Sequence, residues 1–275
     1  FTSATFDSLY YIAVTRPDGT TLLNTPLAGA NAELDLSTLT QTGTYQVVID
    51  PDEGATGDIT TTLAADVEGG ALSASGPSVP TTIVRPGQNS HFTFTGMAGQ
   101  SLSLGLTGAT FDGLYYLAVT RPDGTTVVNT PLAGADGDVD LPTLAQTGTY
   151  QVVLDPSAVG TGQATITLSA DVDGGALTAG DPSQTIAVER PGQNGRFSLA
   201  ATAGQTPALK FSDVTLGGLY TVTILRPDGT VFASRTLIGD NTITAPALTA
   251  TGNYQVVIDP SSAATGSLSV ALASN

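Results

Sequence analysis

The chain repeats itself with a period of 105 residues, and this repetition restricts its possible folds more than any other feature. Residues 4–51 align with residues 109–156 without a gap, and 37 of the 48 aligned positions are identical. A third, more divergent copy follows, because the Arg-Pro-Asp-Gly sequence at Arg16 recurs at Arg121 and Arg226. Solenoid repeats run about 20 to 50 residues, so a period of this length indicates that each copy is a whole domain.

Within each copy the apolar residues alternate with a period of two, as in strands with one buried face. Tyr10, Ile12 and Val14 show this pattern, and the Pro-Asp-Gly that follows suits a type I turn with a glycine bulge, which makes a hairpin. No window of 11 or more residues has helical periodicity. About seven or eight short strands per 100 residues predict an all-β chain of tandem antiparallel β-sandwich domains, arranged as beads on a string.

Two acidic, glycine-rich segments, residues 66–70 and 171–175, are interpreted as the domain boundaries. Residues 71–80 and 176–182, which follow them, are interpreted as connectors. The predicted domains are therefore an incomplete sandwich over residues 1–68, a complete one over 71–173 and a complete, more divergent one over 176–275.

The first copy lacks the three strands that residues 81–106 supply to the second, since Phe1 aligns with Leu106. A sandwich without these strands leaves apolar side chains and a strand edge uncovered. Two explanations remain open. Either the chain is a fragment of a longer tandem array or its ends were not observed, or strands from a neighbouring subunit complete the first domain.

Composition and charge argue against several classes of function. The 24 acidic against 8 basic residues leave a net charge of −16, so nucleic-acid binding is not expected. The absence of cysteine excludes zinc-thiolate, iron–sulfur and disulfide frameworks. His91 is the single histidine and its counterpart in the next copy is Arg196, so no catalytic triad recurs and the chain is predicted not to be an enzyme. The chain has no apolar run long enough for a membrane span.

Acidic residues at the predicted junctions are candidate calcium ligands, because Ca²⁺ is bound by carboxylate and carbonyl oxygens. The candidates are two pairs, Asp66 with Glu68 and Asp171 with Asp173. Two carboxylates are too few for a site, so the alternative is a solvated acidic linker. A third candidate has the D-x-D-x-D spacing of a calcium loop without the glutamate that should follow: Asp136, Asp138 and Asp140.

Two tyrosines are candidate ligand-binding residues. If Tyr10 and Tyr115 face the core, Tyr11 and Tyr116 face outward, where they can stack on a polysaccharide or a matrix protein. The alternative is that they pack against neighbouring strands or are covered by a loop.

The sequences FDGLYYLAVTRPDGT and TGTYQVVLDP, together with PGQNGRF, resemble the pre-peptidase C-terminal (PPC) β-sandwich domains of bacteria and tandem repeats of large secreted bacterial proteins. The resemblance covers nearly the whole chain, but Ala164 and Leu268 stand where the family has an aromatic residue. It implies a PPC-like or jelly-roll-like sandwich with an accessory role. Collagen-binding relatives use calcium at an acidic linker together with surface tyrosines.

The scarcity of lysine and the abundance of threonine, serine, glycine and aspartate are typical of secreted bacterial proteins. The sequence therefore predicts a non-catalytic module outside the cell or on the bacterial surface, such as a stalk, filament or adhesin segment. Its expected partners are neighbouring repeats or further copies of itself, joined through strand complementation of the first domain. No cofactor is expected for this module. The alternative is a module that binds carbohydrate or matrix protein, for which dependence on Ca²⁺ is left open.

Overall fold

The structure is a computed structural model that describes residues 1–157 and 159–273. Within these ranges the chain is all-β, and its only helical segments are two single 3-10 turns. The strands form five sheets, which group into three successive units: residues 1–66, 67–171 and 172–273. The predicted all-β sandwich architecture is confirmed.

The first unit contains one antiparallel sheet of three strands, in the order β2-β1-β3. Its strands are β1 (Tyr10–Thr15), β2 (Thr21–Leu27) and β3 (Gln46–Pro51), and a 3-10 turn follows at Asp52–Gly54. The turn between β1 and β2 is closed by the Gly19 N–H, which donates to the Arg16 carbonyl (2.9 Å), and Gly19 has a φ of +84°. The predicted hairpin is therefore confirmed, and the register shift after Val14 is its bulge.

The second unit is a two-sheet sandwich of nine strands. One sheet has the order β4-β6-β11-β8-β9 and the other the order β10-β7-β12-β5. The strands are β4 (Val67–Leu72), β5 (Val79–Ile83), β6 (Ser90–Gly96), β7 (Leu102–Thr107), β8 (Tyr115–Thr120), β9 (Thr126–Leu132), β10 (Gly137–Asp140), β11 (Gly148–Pro156) and β12 (Gly162–Ala170).

The third unit repeats this topology strand for strand, with sheets β13-β15-β20-β17-β18 and β14-β21-β16-β19. A 3-10 turn, Ser261–Ala263, lies between its last two strands. The strands are β13 (Val172–Ala176), β14 (Gln184–Val188), β15 (Gly195–Ala201), β16 (Ala208–Ser212), β17 (Leu219–Leu225), β18 (Val231–Ile238), β19 (Asn241–Thr244), β20 (Gly252–Pro260) and β21 (Gly266–Leu272).

Each complete unit has a closed apolar core between its two sheets. Phe94 and Tyr150 stack with their ring centroids 5.0 Å apart, and the Tyr150 hydroxyl donates to the Gln146 carbonyl (2.8 Å). Tyr254 donates in the same way to Ala250 (3.0 Å). These recurrent tyrosines thus satisfy their hydroxyls inside the unit, as buried polar groups must.

The interpretation of the acidic, glycine-rich segments as linkers is wrong for their central residues. Residues 67–72 form β4, which pairs in parallel with β6 and is an edge strand of the second unit, and β13 does the same beside β15. A Cβ on Gly69 would lie 2.1 Å from the Phe92 ring, so this glycine permits close packing of the strand. Val67 and Glu68 consequently belong to the second unit.

The first unit contains counterparts of only β8, β9 and β11. Residues 32–35 and 57–65 occupy the places of β10 and β12 without forming named strands, although Thr2 and Thr60 make an isolated bridge. Counterparts of β4, β5, β6 and most of β7 are absent from the described residues. The missing part is larger than the three predicted strands, because β4 belongs to the unit that follows the acidic segment.

Candidate functional site: the unit junctions and the open first unit

Successive units contact each other through the Arg-Pro-Gly-Gln-Asn segment, residues 85–89 in the second unit and 190–194 in the third. In the third unit this segment lies against β7 of the second unit. A Cβ on Gly105 would lie 2.4 Å from the Pro191 carbonyl carbon, and a Cβ on Gly192 would lie 2.7 Å from the Gly105 nitrogen. Two glycines therefore allow the two backbones to approach this closely.

Hydrogen bonds to the end of β12 hold the segment in place. The Gln193 side chain donates to the Ala170 carbonyl (3.0 Å) and accepts from the Glu189 N–H (2.9 Å). Arg190 donates to the Leu168 carbonyl (2.9 Å). In the opposite direction, the Ser169 hydroxyl donates to the Pro191 carbonyl (3.1 Å). The segment thus satisfies carbonyl groups that the last strand of the preceding unit leaves at its end.

Asn194 is buried at the centre of the junction. Its side-chain amide donates to Asp140 Oδ1 (2.6 Å) and to the Ser103 hydroxyl (3.2 Å). Beside it, the Arg196 guanidinium forms an ion pair with Asp171. We call the end of a unit that receives this segment the docking face; in the second unit it consists of β7, β10, the end of β12 and Asp171.

The first junction repeats part of this arrangement. Gln88 donates to the Ala65 carbonyl (2.6 Å), and the Asn89 side chain donates to Asp35 Oδ1 (2.9 Å). His91 takes the place of Arg196, and its Nε2 lies 2.8 Å from Asp66 Oδ2. Contacts of the Arg-Pro-Gly-Gln-Asn segment with the preceding unit therefore recur at both junctions.

Several carboxylates lie close together at each junction, where burial and then their charges raise the pKa of one of them. Burial raises the pKa of Asp259, which lies near the end of β20, to about 7. The charges that act in the same direction belong to Asp140, Asp138 and Asp171. At the first junction, burial and then the charges of Asp35 and Asp66 raise the pKa of Asp155 to about 6. Both junctions therefore favour the protonated form of one buried carboxyl.

The structure places the predicted calcium ligands at the junctions but gives them protein partners. Asp66 accepts from the Asn89 N–H (3.0 Å) and lies beside His91, and Asp171 pairs with Arg196. Asp173 accepts from the Gly175 N–H (2.9 Å), whereas Glu68 is exposed on β4. Among the described residues no group of three or more histidine or acidic side chains is arranged to hold a metal ion. Calcium binding stays a prediction.

The D-x-D-x-D residues have three separate partners. Asp136 accepts from the Gly108 N–H (3.0 Å), and Asp140 accepts from Asn194. Asp138 accepts from backbone N–H groups of the third unit's 3-10 turn, and burial raises its pKa. Asp138 and Asp140 thus belong to the docking face, which their spacing alone did not indicate.

Tyr11 and Tyr116 lie on the outer face of their sheets, as predicted. Tyr11 is 36% exposed and stands opposite Pro26 and Asp50 in the adjacent strands. Tyr116 is half-buried in the corresponding position. Their cross-strand neighbours cover part of each ring, and binding of a polysaccharide or a matrix protein stays a prediction.

The first unit has an open apolar groove of about 590 Å³. Residues 33–39 line one side, residues 61–66 the other, and Ile12, Val14 and Val47 form the floor. Pro86 and Gly87 of the first junction also line it, so the groove is continuous with the contact between units.

Comparison with the second unit shows what the groove lacks. Val47 is 51% exposed whereas its counterpart Val152 is fully buried, and Leu63 is 78% exposed whereas Leu168 is 2% exposed. In the second unit β6 pairs with β11 and places Phe92 opposite Val152, while β7 lies between β10 and β12. The groove is the space that these two strands fill in a complete unit.

Phe1 and Thr2 already occupy the last positions of the missing β7 counterpart. The Phe1 carbonyl accepts from the Ala32 N–H (3.1 Å), and Thr2 bridges Thr60, which matches the pairing of Thr107 with Thr165 in the second unit. A strand that fills the groove in this register therefore ends directly before Phe1.

No family model and no curated protein matches the chain. Among solved structures, the g-type lysozyme inhibitor PliG of Aeromonas hydrophila is 20% identical over 38% of this chain and 99% of its own, with a TM-score of 0.28. The CUB1-EGF-CUB2 domains of rat MASP-1 are 10% identical over 75% of this chain and 99% of their own, with a TM-score of 0.23. TM-scores this low identify no family, and the resemblance to PPC domains stays a prediction.

No helix among the described residues is long and apolar enough to cross a membrane.

Sequence reasoning used the Pro-Gly-Gln-Asn sequence only as a family motif and missed its role at the junction. Its recurrence in two copies, at residues 86–89 and 191–194, was the available signal.

Proposed function

We propose that the chain is a non-catalytic, extracellular structural module whose sandwich units stack end to end. The observation that supports this most directly is the recurrence of one directional contact, in which the Arg-Pro-Gly-Gln-Asn segments of the second and third units each dock on the unit before them. A contact whose glutamine and asparagine hydrogen bonds recur at both junctions favours a similar relative placement of successive units. A stalk or filament requires this property.

We further propose that the first unit accepts β-strands of the repeat's own type. Its β3 is an edge strand paired only with β1, whereas the corresponding β11 is paired on both sides. An exposed edge beside an uncovered apolar floor is the arrangement that binds an added strand, because the backbone supplies hydrogen bonds and alternate side chains fill the groove. The occupant expected from the other units is a β6–β7 segment, with phenylalanines that cover β3 and leucines that enter the core.

A synthetic peptide of residues 90–105 tests this proposal. Its last residue precedes the counterpart of Phe1, so it fits the groove without displacing the chain. We expect one-to-one binding by isothermal titration calorimetry, together with slower hydrogen exchange of the β3 amides. A control peptide with Phe92, Phe94 and Leu104 replaced by serine keeps the backbone and loses the apolar face, so it should not bind.

A second arm identifies the site. A chain extended in front of Phe1 by residues 67–105 has its groove filled internally, and it should no longer bind the peptide. Binding that persists in the extended chain, or equal binding of the serine peptide, would contradict strand complementation.

A further inference from the structure

The third unit has its own counterpart of the docking face, formed by β16, β19 and the end of β21. Register identifies the corresponding residues: Gly105 pairs with Asp138 and Thr167, and Lys210 pairs with Thr242 and Ala271. Lys210, the only lysine of the chain, therefore stands where the second unit has Gly105.

This replacement removes the space that the docking segment needs. At Gly105 even a single Cβ would lie 2.4 Å from the Pro191 carbonyl carbon, 2.5 Å from its oxygen and 2.7 Å from its Cβ. Lys210 adds a Cβ and a four-atom extension beyond it at the same place. No Pro-Gly backbone can approach β16 as Pro191 and Gly192 approach β7.

The polar groups that bind the segment are also replaced. The hydroxyl groups of Ser103 and Ser169, which contact Asn194 and the Pro191 carbonyl, are lost; their counterparts are Ala208 and Ala273. Both carboxylates of β10 are replaced by hydroxyls, since Asp138 and Asp140 correspond to Thr242 and Thr244. The counterpart of Asp171 in the sequence is Asn275, which lies outside the described residues.

The core of the third unit and its own docking segment are kept despite these changes. Its inward residues on the same strands remain buried, as Leu209, Phe211 and Val270 show. Its own Arg-Pro-Gly-Gln-Asn segment is intact and docked on the second unit. The unit therefore keeps its core and its own docking segment, whereas the residues that correspond to the docking face are replaced.

We propose that the third unit is a one-sided unit: it docks on the unit before it but does not receive another Arg-Pro-Gly-Gln-Asn segment. Direct stacking of repeats stops at this face, whatever sequence adjoins it, and a partner that binds there is not another copy of the repeat. This inference rests on the proposed stacking function. Terminal units with an altered outer face are a general requirement of stacked repeats, because an unmodified docking face continues to recruit further units.

The test appends residues 172–275 directly after Asn275, which reproduces the natural spacing between Asp171 and Val172. One version keeps the native face. The other restores the docking face with six substitutions: Ala208→Ser, Lys210→Gly, Thr242→Asp, Thr244→Asp, Ala273→Ser and Asn275→Asp. Both are compared by electron paramagnetic resonance distance measurements between spin labels on cysteines, which are unique because the chain has none.

Matched label positions make the comparison direct. Thr126→Cys and Val231→Cys are exposed equivalents in the second and third units and report on the natural junction. Val231→Cys and its appended equivalent report on the new junction. We expect a narrow distance distribution at the natural junction, a broad one with the native face and a narrow one, of the same mean, with the restored face.

The other possible results each refute one part of the argument. A narrow distribution with the native face, equal to that of the natural junction, shows that the third unit does accept a further repeat and refutes the inference. A broad distance distribution with both the native and the restored face refutes the claim that these six residues prevent docking of a further repeat. A broad distribution at the natural junction itself instead refutes the proposed stacking. Thermal unfolding of the six-substitution chain without the appended unit checks that the third unit still folds.

Discussion

Gly105→Ala should detach the third unit from the second while leaving both units folded. The added methyl group would lie 2.4 to 2.7 Å from three atoms of Pro191, whereas non-bonded carbon atoms prefer separations of about 3.5 to 4.0 Å. All three atoms belong to the backbone or the pyrrolidine ring, so no side-chain rotation relieves the contact. The docking segment must therefore retreat by about 1 Å.

The hydrogen bonds of the junction set the size of the effect. Contacts of 2.9 to 3.2 Å from Arg190, Ser169, Gln193 and Asn194 lengthen beyond 3.5 Å with such a retreat. Each is worth about 0.5 to 1.5 kcal/mol net, so the junction loses about 2 to 6 kcal/mol. The substitution itself offsets up to about 1 kcal/mol of this loss, because glycine inside a strand loses more conformational entropy on folding than alanine does. A loss of about 2 to 4 kcal/mol is the central expectation.

Hydrogen exchange measures this loss locally. The amides of Arg190 and of residues 192–194 exchange when the segment opens, and 2 to 4 kcal/mol corresponds to exchange about 30 to 1,000 times faster. Gly137→Ala is the matched control: it adds the same methyl to the adjacent β10, where the nearest atom is a flexible Leu132 methyl at 3.4 Å. Unchanged exchange in Gly105→Ala, or equal acceleration in Gly137→Ala, would refute the reasoning.

Two further predictions concern the buried carboxyl and the open groove. The pKa of Asp259 is raised from 3.8 to about 7. Between these pH values the Asp259 carboxyl is protonated in the folded state and ionised in the unfolded state. The free energy of unfolding therefore falls as pH rises through this window, by at most about 4 kcal/mol. Asp259→Asn should remove this dependence and exceed the native chain in stability at pH 8 in urea unfolding. Val152→Ala should cost about 2 kcal/mol because Val152 is fully buried, while Val47→Ala in the open groove should cost less than about 1 kcal/mol.

One result would contradict each of these two predictions. A pH profile that is the same in Asp259→Asn and in the native chain would show that this carboxyl is not held protonated by the junction. Equal losses from Val47→Ala and Val152→Ala, measured by thermal unfolding, would show that the floor of the first unit is covered.

Local pattern in the sequence predicted the strands and turns well. The alternation of Tyr10, Ile12 and Val14 predicted their burial on one face, and the Pro-Asp-Gly that follows predicted the bulged hairpin. These features depend on neighbours within a few residues, which a sequence displays directly. The 105-residue period likewise predicted three units and the incompleteness of the first.

Sequence reasoning was less informative for residues whose role depends on distant partners. The glycine-rich segment at Gly69 was interpreted as a linker, although its glycine makes room for the Phe92 ring in a parallel strand pair. Asp138 and Asp140 were considered, with Asp136, as a calcium loop because of their D-x-D-x-D spacing, and calcium binding there stays a prediction. In the structure they face the third unit, where Asn194 and the 3-10 turn supply their hydrogen bonds.

The sequence by itself determined the all-β class, the number of units and the position of each hairpin, because strand alternation and turn chemistry are local. Only the tertiary structure decided how the units meet. Gly105 and Pro191 are 86 residues apart, and their contact depends on the packing of two complete sandwiches. The same packing brings Asp140, Asp171 and Asp259 together.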